Sequence, residues 1–167
     1  DEVWWKITEE YKPIPTGEEA TGEERETEEL STGFGLEPHL RRFLVDNWES
    51  TPLGKDYEIL TEDGEVIGEE YQTKEVGNID ILAKGKTTDE WVVIELKKGQ
   101  SSDTVVGQIL RYMGWVQKEK AKKDEVVKGI IIVKEIDRKL EYALAALKDK
   151  VKISCFMYSV QFSLKQI

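Results

Sequence analysis

The chain has 167 residues, enough for one domain with a substantial core and short for two. A hydrophobic fraction of 39% with five Trp, six Tyr and four Phe excludes a wholly disordered chain, while 35% charged residues and a net charge of −10 require polar segments beside that core. Cys155 is the only cysteine and His39 the only histidine, which excludes an internal disulfide and a cysteine-based zinc site and leaves a hard cation held by carboxylates as better chemistry than a histidine-dependent nucleophile.

The chain opens on an acidic segment. Residues 1–30 hold 11 of the 34 acids and three of the 24 bases, leaving 23 acids against 21 bases, a net of −2, for residues 31–167. The overall charge therefore does not exclude a nucleic-acid partner, whose phosphates need Lys and Arg from the core alone. No run approaches the roughly 20 apolar residues that span a bilayer, and the start Asp1-Glu2-Val3-Trp4-Trp5 lacks the pattern of a signal peptide, so a cytoplasmic protein without a membrane partner is expected. Residues 13–32 are dominated by Glu, Thr and Gly and read as a flexible linker. The expected organisation is an acidic flexible segment over 1–32 and one domain over 33–167. Ahead of the linker, Val3-Trp4-Trp5-Lys6-Ile7 is apolar enough to be a docking peptide or the last strand of an upstream domain, against the plainer alternative of casual packing on the core.

Leu40, Phe43, Leu44 and Trp48 recur at helical spacing, with Pro38 near the first turn, and predict a helix over 37–48. Residues 57–60, the turn Asp63-Gly64 and residues 65–73 predict a hairpin at a sheet edge. Residues 79–83 and 91–96 predict two antiparallel strands, and Ser101-Ser102-Asp103 offers N-caps for a long helix running toward Lys118. Residues 126–133 predict a buried strand, 137–147 a helix, and 151–158 and 160–164 two closing strands.

Charge within this apolar pattern marks the chemistry. On the strand Val92-Val93-Ile94-Glu95-Leu96-Lys97, Glu95 and Lys97 share one face and Ile94 and Leu96 the other. A charge in a core is costly unless it is paired, solvated in a cleft or bound to a metal. Asp80 repeats the pattern between Ile79 and Ile81, and an antiparallel turn would bring it beside Glu95, where two carboxylates can hold Mg²⁺ or Mn²⁺ for phosphodiester hydrolysis while Lys97 orients the nucleophile or stabilises the transition state. On the following helix Gln108 and Tyr112 are four apart on one face, with Arg111 at its edge: Gln108 would fix the water or Lys97, Arg111 would meet a phosphate, and Tyr112 is with Arg111 a candidate substrate-binding residue. Glu37 is a further candidate metal carboxylate. Each has a bland reading when taken alone. Glu95 and Lys97 would be a surface ion pair, Tyr112 helix core, Gln108 helix surface, and Glu37 an acid favoured by the helix dipole. His39 reads as solvated or capping, and Lys118 to Lys123 as a solvated face rather than a phosphate patch.

Taken in order, Gly77-Asn78-Ile79-Asp80-Ile81-Leu82, Val93-Ile94-Glu95-Leu96-Lys97-Lys98-Gly99 and Val106-Gly107-Gln108-Ile109-Leu110-Arg111-Tyr112-Met113 resemble the PD-(D/E)xK nuclease superfamily, and more narrowly the C-terminal nuclease domain of the NucS (EndoMS) endonucleases. The resemblance spans roughly residues 37–164. It implies a restriction-endonuclease-like α/β fold, a mixed central sheet flanked by helices, with Asp80, Glu95 and Lys97 as a metal-dependent core and Gln108 and Tyr112 matching the helix motif. Glu37 matches by position only. The family's members cut branched or mismatched DNA and usually carry a separate N-terminal DNA-binding and dimerisation domain, so the resemblance implies an upstream domain or a partner, and double-strand cutting would favour a homodimer.

The expected function is thus a Mg²⁺- or Mn²⁺-dependent DNA endonuclease. The alternative is a catalytically inactive nuclease-like module that binds DNA or protein, against which the intact Asp80, Glu95, Lys97 and Gln108 count. An interaction module using the N-terminal peptide is compatible with either. No base-reading element is recognisable, so the sequence does not specify which DNA is cut.

Overall fold

The structure is a computed structural model that describes residues 3–8, 36–97 and 102–162. Its centre is a seven-stranded mixed sheet with helices on both faces. The sheet runs β1 (Val3–Thr8), β9 (Ile153–Phe162), β8 (Val126–Val133), β7 (Glu90–Leu96), β6 (Asn78–Gly85) and β2 (Tyr57–Ile59), and β5 (Glu69–Gln72) also pairs with β6. β7, β8 and β9 are mutually parallel, whereas β1, β2, β5 and the β6–β7 pair are antiparallel to their neighbours.

The central strands are buried on both faces, as near-continuous apolar runs require. Val92, Ile94 and Leu96 of β7 join Ile81, Ala83, Ile130, Ile132 and Phe156 beneath Leu44 of α1 (Leu36–Asp46), Trp48 of a 3-10 turn and Leu53 of α2 (Pro52–Asp56). Trp91 and Val93, on the opposite face of β7, join Ile79, Leu82, Val127, Ile131 and Val133 beneath α3 (Ser102–Glu119) and Leu140 of α4 (Arg138–Leu147). The buried side chains of α3 are Ser102, Val105, Ile109, Tyr112, Met113 and Val116, the three-and-four spacing of one helical face. That face sits close to β8 because Gly129 has no side chain: a Cβ there would stand 2.6 Å from Met113 Sδ and 2.9 Å from Ile109 Cδ1.

The edge differs from the expected single hairpin. Asp63 and Gly64 do form the turn, with φ of 51° and 84°, but it closes only the short pair β3 (Thr61–Glu62) and β4 (Glu65–Val66). The flanking strands β2 and β5 both pair with β6 instead, β2 at residues 83–85 and β5 at residues 78–81. Leu82 holds the two together, its carbonyl accepting from Leu60 N–H and its N–H donating to Gly68 O. The two closing strands are one strand. No glycine or proline interrupts 153–162, and β9 exchanges partners along its length, pairing with β8 over 153–157 and with β1 over 157–162. The apolar N-terminal peptide is therefore an edge strand of this sheet, while the linker expected at 13–32 lies outside the described residues.

α2 and α4 start at side-chain caps. Thr51 Oγ1 accepts from Gly54 N–H at 3.0 Å with Pro52 at the first helical position, and the Asp137 carboxylate accepts from Leu140 N–H at 2.8 Å. α2 escapes the hydrophobic periodicity because it is five residues long, although Thr51-Pro52 signals its start.

Candidate active site

The β6–β7 ladder pairs Lys84 with Trp91 through to Ile81 with Ile94. One step further stand Asp80 and Glu95, and there side chains take over from the main chain. Asp80 N–H donates to Glu95 Oε1 at 3.2 Å, and Leu96 N–H donates to Asp80 Oδ2 at 2.9 Å. Side-chain alternation breaks at the same point: Ile79 and Leu82, three residues apart, both pack in the α3-side cluster, while Ile81 and Ala83 pack in the other. The local break turns Asp80 toward Glu95.

Both carboxylates are buried, Asp80 at 7% exposure and Glu95 at 3%. Burial of two acids side by side is unfavourable unless cations or donors compensate. One compensation is Arg41 of α1, whose Nη1 lies 3.7 Å from Asp80 Oδ1. The same guanidinium places Nη2 3.0 Å from Glu70 Oε1 and Nε 3.6 Å from Glu69 Oε1. Glu70 holds a positive φ of 47°, uncommon for a residue with a side chain.

Lys97 points elsewhere. Its Nζ donates to Asp137 Oδ2 at 2.7 Å and to Ser102 Oγ at 3.3 Å, so the ammonium lies between the first residue of α3 and the cap of α4. Burial alone would push the Asp137 carboxyl up. The Lys97 ammonium, the Ser102 hydroxyl and Leu140 N–H outweigh it and hold that carboxyl well below the usual carboxylate range. Behind Lys97, burial pushes the Cys155 thiol up to about 12, against the opposing pull of the lysine charge.

The α3 residues divide. Gln108 is half-buried, and its Oε1 is a buried acceptor without a hydrogen-bond donor. Tyr112 is core, 3% exposed, with its hydroxyl oxygen 2.8 Å from where a Cβ on Gly77 would stand. Arg111 is exposed, with its guanidinium carbon 5.4 Å from the Tyr112 ring centroid. The Glu37 backbone belongs to α1, but its side chain lies outside the described residues, as do Lys98, Gly99 and Gln100. His39 and five of the six residues from Lys118 to Lys123 are exposed.

Among the described residues, no group of three or more His, Cys, Asp or Glu side chains converges in a cage for a metal ion. The donor set that is present still suits a hard divalent cation. Mg²⁺ is ordinarily held by one or two carboxylates, with water and phosphate oxygens completing its octahedron, and the adjacent Asp80 and Glu95 supply such a pair. The orphaned Gln108 Oε1 is an acceptor of the kind a bound water would satisfy.

Sequence reasoning missed Arg41, Ser102 as a partner of Lys97, and Asp137 as more than a helix start. Their common feature is distance in the chain: Arg41 precedes Asp80 by 39 residues and Asp137 follows Lys97 by 40. The capping aspartate before a helical run was the one local signal.

The sequence model of the endonuclease NucS C-terminal domain matches residues 52–153, more than half of the chain. Among solved structures, a repair endonuclease from Pyrococcus abyssi superposes with a TM-score of 0.52 at 17% identity, over 72% of this chain and 46% of that one. An EndoMS–dsDNA2 complex superposes with a TM-score of 0.50, also at 17% identity, over 72% of this chain and 44% of that one. At such identity the likeness establishes the fold, and the chain spans less than half the length of either protein. No curated protein sequence matches it.

Proposed function

The chain belongs to the endonuclease NucS C-terminal domain family, and on that premise we propose that it is a Mg²⁺- or Mn²⁺-dependent endodeoxyribonuclease of PD-(D/E)xK type, acting on mismatched or branched DNA. The observation that carries the reading is the pair Asp80 and Glu95, two buried carboxylates joined through each other's neighbouring main chain at the point where an apolar ladder stops. A structural role alone would be met more cheaply by apolar residues at both positions.

In this reading Asp80 and Glu95 hold the metal, with Glu37 a further candidate ligand. When bound, the metal supplies Lewis-acid activation of water and neutralises charge on the phosphate. Lys97 contributes a fixed positive charge beside the scissile group, Gln108 accepts a hydrogen bond from the attacking water or from Lys97, and Arg111 meets the DNA backbone from its exposed position. Tyr112 acts from the core, fixing α3 against the loop at Gly77. An upstream DNA-binding domain or partner would add affinity, and a homodimer would place two sites for double-strand cutting; both belong to this proposal, as does a cytoplasmic location for the nuclease. So does the division of the chain into an acidic segment over 1–32 and a nuclease domain over 33–167.

The test is cleavage of single-stranded, flap, mismatched and duplex DNA by the purified chain with Mn²⁺ or Mg²⁺, beside Asp80→Ala and Lys97→Ala variants and an EDTA control. Metal-dependent cutting that both substitutions abolish supports the reading. A folded protein that cuts none of these DNAs would instead favour the inactive binding module.

A further inference from the structure

The lysine of the proposed site is tied to two residues remote from it in sequence. Asp137 uses one oxygen to accept Leu140 N–H at 2.8 Å, capping α4, and the other to accept from Lys97 Nζ at 2.7 Å. Ser102 Oγ stands 2.6 Å from both carboxylate oxygens and 3.3 Å from Nζ, which closes a three-residue cluster. Ser102 is 1% exposed and the Lys97 side chain 15%, while the Asp137 side chain, at 47%, faces water.

A cap does not require this arrangement. Asn or Ser would cap α4 as well as Asp does. A carboxylate adds the power to hold an ammonium, and the position of Lys97 shows why that matters. Lys97 directly follows β7, two residues beyond Glu95, so an unrestrained lysine, with a long flexible stem, would fold back onto Glu95. That contact would neutralise a metal-binding carboxylate with a side chain that the reaction needs elsewhere.

Resting on the nuclease reading above, we propose that Asp137 is the positioning residue for Lys97: it draws the ammonium away from Glu95 and Asp80, keeps those carboxylates available to a divalent cation, and fixes the lysine charge against the N-termini of α3 and α4. Ser102 braces the Asp137 carboxylate in this role. The helix cap and the lysine clamp are one side chain, so the orientation of α4 and the position of the active-site charge are set together.

The experiment uses the full 167-residue chain and compares wild type, Asp137→Asn, Asp137→Ser, Lys97→Met and the Asp137→Asn/Lys97→Met double variant. Both replacements at 137 keep a capping side chain, so one folded variant suffices should the other fail. Mn²⁺ affinity by calorimetry is expected to weaken roughly tenfold in Asp137→Asn, and kcat to fall at least about tenfold, the usual scale for a residue that orients a site from behind its ligands. KM for DNA should stay within about twofold, the signature of a charge misplaced in the transition state rather than lost binding. In the Lys97→Met background, Asp137→Asn should no longer change Mn²⁺ affinity, because no ammonium remains to compete. A wild type that binds Mn²⁺ and cuts, matched within about twofold by Asp137→Asn in affinity and kcat, would overturn the role of Asp137 and leave the nuclease standing. An Asp137→Asn effect on Mn²⁺ that persists undiminished without Lys97 would overturn the clamp equally. A wild type that neither binds Mn²⁺ nor cuts would overturn the nuclease reading itself, and this inference with it.

Discussion

Arg41 of α1 reaches Asp80 of β6 across the edge of the sheet, with Nη1 3.7 Å from Oδ1. The guanidinium also faces Glu69 and Glu70, so one largely buried cation stands among three acids, and its Nε has an ion-pair partner at 3.6 Å but no hydrogen bond. Arg41→Met keeps an apolar stem in the same space and removes the charge. The carboxylates are then left facing one another, and urea denaturation at pH 7 should show a loss of about 1–3 kcal/mol. Because a ligand bound only by the folded state stabilises it, the proposed metal, supplied as saturating Mn²⁺, should recover more stability in Arg41→Met than it adds to wild type. Equal stability of the two proteins without metal would show that Arg41 balances nothing.

A second charge centre pins the opposite end of β6 and β7. Glu125 accepts from Lys122 N–H at 2.7 Å, Trp91 Nε1 at 2.9 Å and Lys84 Nζ at 3.1 Å, and Lys84 lies 4.4 Å over the Trp91 ring. The Lys122 N–H foremost, then the indole and the ammonium, lower the Glu125 carboxyl from its ordinary 4.5 to about 2. A carboxyl depressed in the folded state binds fewer protons there than in the unfolded chain, so its stabilisation is present above pH 4.5 and is lost as pH falls toward about 2. Glu125→Gln should therefore be less stable than wild type near neutrality, and chemical denaturation at stepped pH should show the gap closing across that window. A gap independent of pH would mean that hydrogen bonding, not the carboxylate charge, accounts for the contribution.

Legibility of the sequence followed the range of the interactions. α3, α4, β7 and β8 were readable because a helical face or an unbroken β-branched run is a local property, and the β8 strand expected at 126–133 is Val126–Val133 in the fold. The convergence of Asp80 on Glu95 was readable too, since an antiparallel turn dictates it, and the observed hydrogen bonds join those two strands. The single hairpin at 57–73 and the two closing strands were misjudged because partner choice is a tertiary matter: β6 offered one edge to both β2 and β5, and β9 gained a second partner in β1. The embrace of Lys97 by Ser102 and Asp137 depends on where two helices begin in space, which no spacing in the chain encodes.

Gly129 tests how closely α3 must approach the sheet. Alanine there would bring a methyl group to 2.6 Å from Met113 Sδ and 2.9 Å from Ile109 Cδ1. The methionine can move, but Ile109 is fully buried and has no free volume to enter. Gly129→Ala is expected to cost about 1–3 kcal/mol in denaturant unfolding, the scale of overpacking a well-filled core. Because α3 also carries Gln108, the metal-dependent cleavage proposed above should fall in the same variant at temperatures well below its melting point. A fully stable, fully active Gly129→Ala would show that α3 shifts freely on β8.

Cys155 supplies the alkaline counterpart to Glu125. It lies on β9 opposite Ile131, at the edge of an apolar cavity of about 440 Å³ walled by Leu144, Leu147 and Ile153. Burial raises its thiol from the ordinary 9.0 to about 12, with Lys97 pulling the other way. The folded state therefore holds the proton more tightly than the unfolded chain. Its contribution is intact below pH 9 and is lost as pH rises toward about 12. Wild type should lose stability relative to Cys155→Ala as pH is raised above 9, and at pH 7.5 the native thiol should react with a disulfide reagent far more slowly than in denaturant, because little thiolate is present. Fast labelling of the native protein at pH 7.5 would mean that Lys97, and not burial, governs the thiol.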